Sequence, residues 1–485
     1  MTHPARFTFD ELLDEPEARR LRRVVVLLCA VVTTLDGFDL QSIALVAPAI
    51  AEEWGLKASS FGAVFGVGQL GSLIGALLLG RLSDRFGRRR ILLISVTVFA
   101  GCSLATALVS SVAGLVVLRL LTGIGLVGAL PSAIALTSEY TPRRSRSAVI
   151  GLMFCGYPFG GVLAGVLSAP LIPAFGWPSV FVVGGVLPLL LLPVLWRSLP
   201  ESAQFLTLVG DRVGLEAVLR RMGSKIDATQ VRAERAPDQS PVVRLFTEGR
   251  AAGTLLIWVT TFMALVMAYL LTNWLPLVAG SAGAGASSSA LAVATLNIGV
   301  IIGCLALGRV ADKLRPTVVL GVAFVLGAAA SAALGFAGSQ VGALLLLTFA
   351  AGFGGIGAQM CMVSVCAGFY ETSLRTTGLG ATMAAGRIGG IVGPVLGGLL
   401  VGAGASAPAV FGVAAAAGLC AATAVVVLGI VTRDPRLPPA VVPPPTPGFS
   451  DEERSGVRAQ HQELGQQPAT TVDSHAPPRL RRPAR

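Results

Sequence analysis

Gly80-Arg81-Leu82-Ser83-Asp84-Arg85 closes one long apolar run, and Gly308-Arg309-Val310-Ala311-Asp312-Lys313 closes another much later in the chain. Two further pairs recur at nearly the same separation. Gly156-Tyr157-Pro158-Phe159-Gly160-Gly161 parallels Gly393-Pro394-Val395-Leu396-Gly397-Gly398, and Tyr140 with Arg144 parallels Tyr370 with Arg375. Between these landmarks, apolar runs of roughly 20 residues recur about a dozen times, each long enough to cross a bilayer as a helix. Duplication on the scale of six helices is the mark of a two-lobed transporter with its site between the lobes. The chain therefore reads as an all-α membrane protein of twelve transmembrane helices in two six-helix lobes.

Composition agrees with that reading. Of the 485 residues, 53% are hydrophobic and only 13% are charged, with a mean hydropathy of +0.75. A soluble domain would be about a quarter charged. Glycine, at 59 residues, is abundant inside the apolar runs, as close helix contacts in lipid require. The expected divisions are an N-terminal segment 1–21, a first lobe 22–196, a central loop 197–251, a second lobe 252–432 and a disordered tail 433–485. The first helix is expected at roughly 22–49 and the eleventh at roughly 377–402. The central loop shows helical periodicity around Val213 to Met222.

The net charge of +11 does not indicate nucleic acid, because basic residues crowd into alternate loops. They occur at Arg81 to Arg90, Arg143 to Arg146, Arg197 to Arg250, Arg309 to Arg315 and Arg375, whereas the intervening loops are nearly uncharged. The positive-inside rule then puts both termini and the basic loops in the cytoplasm, with the lipid bilayer as the main partner. Arginine outnumbers lysine heavily, which fits a GC-rich bacterial genome and a bacterial plasma membrane. The seven cysteines have no metal-like spacing, and neither metal nor cofactor is expected. The three histidines, His3, His461 and His475, lie in the tails and take no part in a proton relay. No Walker motif or catalytic constellation occurs, so neither an ATP-driven pump nor an enzyme is expected.

The duplication sorts the charges. Arg81, Asp84 and Arg85 recur as Arg309, Asp312 and Lys313 at helix ends, where ion pairs latch a gate or fix topology. Arg144 and Arg375 recur likewise as scaffold or gate residues. Glu139 ends the fourth helix, and a gate partner is the favoured role there over a proton carrier. Asp36, Asp39, Arg119 and Arg387 have no counterparts in the other half. Asp36 and Asp39 share one helical face, about 20–25 Å from the start of their helix. They serve either as a coupled pair that exchanges protons or as struts held by arginines. Arg387, at similar depth in the opposite lobe, suits a bidentate grip on a substrate carboxylate, or alternatively a bridge to one of the aspartates. Arg119 either pairs with an aspartate of its own lobe or steers incoming anions. Tyr269, Asn273 and Trp274 in helix 7 would make an aromatic and amide wall for a planar acid, with Trp274 otherwise an interfacial anchor. Gln359 is a cavity residue or a helix–helix hydrogen bonder.

The stretch from Gly80 to Arg90 resembles the helix 2–3 signature of the major facilitator superfamily, and Arg119-Leu120-Leu121-Thr122-Gly123 resembles its helix 4 motif. Leu199-Pro200-Glu201-Ser202 is similar to a segment of its sugar and organic-acid branches. Within the superfamily, Asp36-Gly37-Phe38-Asp39, Trp274-Leu275-Pro276 and Gly386-Arg387-Ile388-Gly389 resemble the aromatic acid:proton symporter family. Tyr370-Glu371-Thr372 departs from that pattern, in which Pro commonly follows the Tyr. The resemblance implies uptake of benzoate-like or hydroxybenzoate-like anions with protons, and importance for Asp36, Asp39, Arg119, Glu139, Arg375 and Arg387. A proton symporter for another small organic acid and a proton-antiport exporter are the alternatives. A monomer is expected. Asp36→Asn should abolish substrate accumulation at unchanged protein level, measured by uptake of labelled acid alongside an immunoblot; retained accumulation removes Asp36 from the mechanism.

Overall fold

The computed structural model describes residues 7–13, 18–223, 226, 228, 231–232, 242–281, 283, 285–338 and 340–432. The expected tail lies wholly, and the N-terminal segment partly, outside them. Twelve helices long and apolar enough to cross a membrane occur among the described residues: α1 Ala18–Glu53, α2 Ala58–Phe86, α3 Arg88–Thr106, α4 Val112–Glu139, α5 Ala148–Phe175, α6 Pro178–Ser198, α7 Ala251–Gly280, α8 Ala286–Ala311, α9 Pro316–Leu334, α10 Val341–Phe369, α11 Thr377–Gly402 and α12 Ala407–Val431.

Their ends follow local chemistry. Gly87, at φ 100°, turns the chain between α2 and α3, a conformation that side chains with a Cβ rarely adopt. Ser111 caps α4 by accepting from the Gly114 amide at 3.2 Å. Prolines open α6, α9 and α12 in their first turns, where a missing N–H costs nothing. Helix 1 runs further at both ends than composition suggests, and helical backbone precedes α11 from Thr372.

Within the first lobe α1 packs on α5, α2 on α4, and α3 on α4 and α6. Within the second, α7 packs on α11 and α12, and α9 on α12. The lobes meet through α1–α7, α2–α11 and α5–α8. The duplication exchanges α2 with α8 and α5 with α11, so the last two contacts are one interface made twice. Glycine sets its closeness. A Cβ at Gly62 would lie 2.8 Å from Gly398 Cα, and one at Gly165 would lie 2.8 Å from the Ala294 amide nitrogen.

These contacts stop partway down. Gly80 and Gly380 lie about five turns from Gly62 and Gly398 on the same helix faces, yet a Cβ at either would meet nothing within 4 Å. Gly308 of α8 and Gly151 of α5 stand equally open. The lobes are therefore closed at the uncharged-loop end and parted at the basic-loop end.

The central segment is more ordered than a loop. Helix Arg212–Met222 buries Leu215, Val218, Leu219 and Met222 against Leu12, Leu13 and Leu206 beneath the first lobe. Asp211 caps it by accepting from the Gly214 amide at 2.9 Å, and Gly223 ends it at φ 79°. Two short strands, β1 Phe7–Thr8 and β2 Val231–Arg232, pair in parallel and tie the N-terminal segment to this platform.

At Gly37 α1 and α5 approach so closely that a Cβ there would collide with the Tyr157 carbonyl. Gly37→Ala should lower stability by about 1–3 kcal/mol through overpacking, visible as a reduced melting temperature in detergent.

Candidate functional site

Asp36 and Asp39 lie about 60° apart around α1, and that rotation gives them different neighbours. Asp39 is fully buried and faces its own lobe. Its Oδ1 accepts from Ser103 Oγ at 2.8 Å, and its Oδ2 pairs with Arg119 at 3.2 Å. Arg119 also donates to Thr106 Oγ1 at 3.1 Å and lies over the Phe181 ring at 4.9 Å. One ion pair thus joins α1, α3, α4 and α6. It is enclosed, with Arg119 only 4% exposed.

Asp36 is 3% exposed, and its Oδ2 has no hydrogen-bond partner. It faces the interlobe space, within electrostatic reach of Arg387 on α11. Arg387 is half-buried and makes no ion pair or hydrogen bond among the described residues. A buried carboxylate oxygen without a donor and an uncommitted guanidinium near it are each costly alone. The two stand within electrostatic reach without forming an ion pair.

Two tyrosines extend it. Tyr157 of α5 and Tyr269 of α7, one from each lobe, lie close enough for their phenols to act on one another electrostatically, and Gln69 of α2 stands beside Tyr269. Arg387 acts electrostatically on both phenols. The Tyr269 ring packs over Gly390, one turn from Arg387, where a Cβ would lie 2.9 Å from Cε2. Asn273, a turn further along α7, lines a small cavity with Asp39, Phe65, Gln69, Arg119 and Thr122.

Trp274 is fully buried rather than at a membrane surface. Its indole N–H donates to the Pro394 carbonyl at 3.1 Å, and its ring meets Phe65 of the other lobe edge-on at 5.7 Å. Gln41 of α1 also donates across the lobes to Asn297 Oδ1 of α8 at 3.4 Å. The Trp274 contacts plug the uncharged-loop end. Gln359 is half-buried in α10 and forms no hydrogen bond among the described residues.

The basic-loop end holds a second cluster. Arg88 pairs with Glu139 and lies 3.9 Å from Asp84. Ser202 Oγ donates to Glu139 Oε2 at 2.7 Å, and Glu201 Oε1 accepts from the Arg89 amide at 2.9 Å. The Tyr140 hydroxyl donates to the Glu201 carbonyl at 2.7 Å. Burial, with the Glu201 charge added, pushes that phenol above its usual range, so it remains a donor. Tyr370, its counterpart, donates to Thr254 at 3.1 Å, and burial likewise pushes it up. Arg81, Asp84, Arg85, Arg144, Arg309 and Asp312 are exposed. Arg85 lies beside the Phe86 ring, and Arg309 donates to its own helix at Leu305. Arg375 is half-buried, with Nε unpartnered.

The family model described as Major Facilitator Superfamily matches residues 29–365 and 257–472. The chain belongs to this superfamily. It is 40% identical over 419 residues to the 4-hydroxybenzoate transporter PcaK of Pseudomonas putida, covering 84% of this chain and 93% of that one. It is 37% identical over 425 residues to the gallate transporter of the same organism, covering 87% and 94%. The fold matches the xylose transporter XylE of E. coli, solved in a partially occluded inward-open conformation, with a TM-score of 0.64 at 18% identity over 83% of this chain and 97% of that one. The protein is a multi-pass transporter of the bacterial plasma membrane, not an enzyme.

For this facilitator, reasoning from charge alone misses the uncharged members of the site. Tyr157 precedes Pro158, and its counterpart before Pro394 is Gly393. The repeat that singles out Asp36 would have singled out Tyr157 had it been applied to hydroxyls. Gln69 and Ser103 carry no such signal. Arg119→Leu leaves Asp39 as an uncompensated buried charge, at a cost of about 3–5 kcal/mol. The double variant Asp39→Leu/Arg119→Leu should recover folded protein, measured by monodisperse yield in detergent.

Proposed function

We propose that the protein imports aromatic carboxylates together with protons, by alternating access between its two lobes. The observation that carries this reading is the pairing of an uncommitted Arg387 with Asp36, whose Oδ2 has no partner. The nearest chemistry that completes such a site is a carboxylate, taken by the guanidinium through two parallel N–H bonds. The names of the relatives, transporters of 4-hydroxybenzoate and gallate, supply the aromatic ring. Tyr269, Asn273 and Tyr157 give that ring walls and its substituents hydrogen-bond partners.

Asp36 carries the coupling in this reading. When the substrate anion occupies Arg387, Asp36 loses its counter-charge and takes up a proton, because an unpaired carboxylate in hydrocarbon is costly. Anion and proton then cross together with no net charge, which lowers the barrier of the low-dielectric core. Asp39 stays with Arg119 and holds α1 in register against α3 and α4. The basic loops are cytoplasmic by the positive-inside rule, so the gap between the lobes faces inward. Arg81, Asp84 and Arg85 with Arg309 and Asp312, helped by Arg144 and Arg375, latch that side when it closes. The Arg88–Glu139 pair braces the first lobe beneath them.

The test is uptake of a panel of labelled aromatic and aliphatic acids into proteoliposomes, with and without a protonophore. Aromatic acids should accumulate and the protonophore should abolish accumulation. No aromatic accumulation, or accumulation indifferent to the proton gradient, overturns the reading. Arg387→Ala should raise KM by about 10–100-fold, as expected for loss of charge-assisted hydrogen bonds of about 1.5–3 kcal/mol.

A further inference from the structure

Two cysteines that the transport site does not use meet where α8 crosses α10. Cys304 and its neighbour Gly303 pass so close to Gly357 of α10 that a Cβ there would lie 3.1 Å from the Cys304 amide nitrogen. One turn further along α10, Cys361 Sγ lies 3.5 Å from the Cys304 carbonyl oxygen, and the two thiols act on one another electrostatically. Cys361 is 8% exposed, while Cys304 is half-buried. The crossing follows directly on a π-helical turn at Gly352–Ile356, a widening often found at functional sites. No group of three or more metal-ligating side chains forms among the described residues. The chemistry available at this point is therefore that of a dithiol.

We propose that Cys304 and Cys361 form a vicinal dithiol site for a trivalent organoarsenical, which on binding fastens α8 to α10. The two thiols attack R–As=O in turn. Two As–S bonds form, the As=O bond breaks, and its oxygen leaves as water with the two thiol protons. Arsenic stays trivalent, so no oxidant is needed. With Cys361 Sγ already against the Cys304 backbone, only side-chain rotation is required for the two sulfurs to share one arsenic atom. The clamp acts where it matters for transport, because α8 carries Asn297 and the seam with α5. Both helices belong to the second lobe, so joining them covalently stiffens that lobe directly behind the seam that α8 makes with α5.

The full-length protein itself provides the readout. Its only lysines are Lys57, Lys225 and Lys313, so cleavage at lysine leaves Cys304 as the sole cysteine of fragment 226–313 and places Cys361 on fragment 314–485. After treatment with phenylarsine oxide, denaturation and digestion, one arsenic should join these two fragments. A 1,2-dithiol should release them, whereas an equal concentration of a monothiol should not. Cys304→Ser and Cys361→Ser should each lose the join, and Cys366→Ser and Cys420→Ser should keep it. Fragments that separate in the unsubstituted protein, or a join running instead through fragment 58–225 with its Cys155, overturn the proposal. The digest needs no transport assay, so its failure is distinct from failure of the proposed import. In proteoliposomes the reagent should cut uptake at least fivefold and spare Cys361→Ser.

Discussion

A carboxylate held inside hydrocarbon must be met by a cation, by donors or by a proton, and much of this molecule is arranged around how that demand is satisfied twice within one turn of α1. Asp39 is met completely, by Arg119 and Ser103. Asp36 is met incompletely, by an arginine that belongs to the other lobe and stops short of an ion pair. The first arrangement costs desolvation and returns rigidity, since it ties together α1, α3, α4 and α6. The second leaves a polar gap at the lobe interface. A completed ion pair and an incomplete one thus sit side by side on one helix.

The glycine contacts show where the lobes touch and where they part. In lipid no hydrophobic force pulls helices together, so close backbone approach and its dispersion contacts take over. Gly62 against Gly398 and Gly165 against α8 seal one end of the seam. The same helix faces carry Gly80, Gly380 and Gly308 at the other end, with open space around them. In the proposed cycle, such faces at both ends let the lobes rock about the middle, where Asp36 and Arg387 lie. Trp274 and Phe65 close the sealed end by interlocking edge-on, a contact that parts without breaking a hydrogen bond between lobes.

Much of the fold was legible in the sequence, because its signals are local. Run length and hydropathy give the twelve helices, and repeated motifs give the two lobes. Some neighbours were not legible. The segment after α6 reads as polar, yet its helix Arg212–Met222 buries a leucine-rich face under the first lobe. Trp274 stands near a helix end, where tryptophan commonly anchors at the lipid surface, but the opposing lobe covers it completely. Glu139 reads as a gate residue, and the partners it finds are Arg88 of its own lobe and Ser202 of the central segment.

The sequence by itself determined that this is a twelve-helix, two-lobed membrane transporter with four charges that the duplication does not share. It also determined that Asp36 and Asp39 lie within one turn of each other. Only the tertiary structure decided which of them is committed, because a partner is chosen by neighbouring helices and not by spacing along the chain. Asp39 and Arg119 are eighty positions apart, Asp36 and Arg387 far more. About 60° of rotation on one helix sends the first aspartate to the other lobe and keeps the second at home.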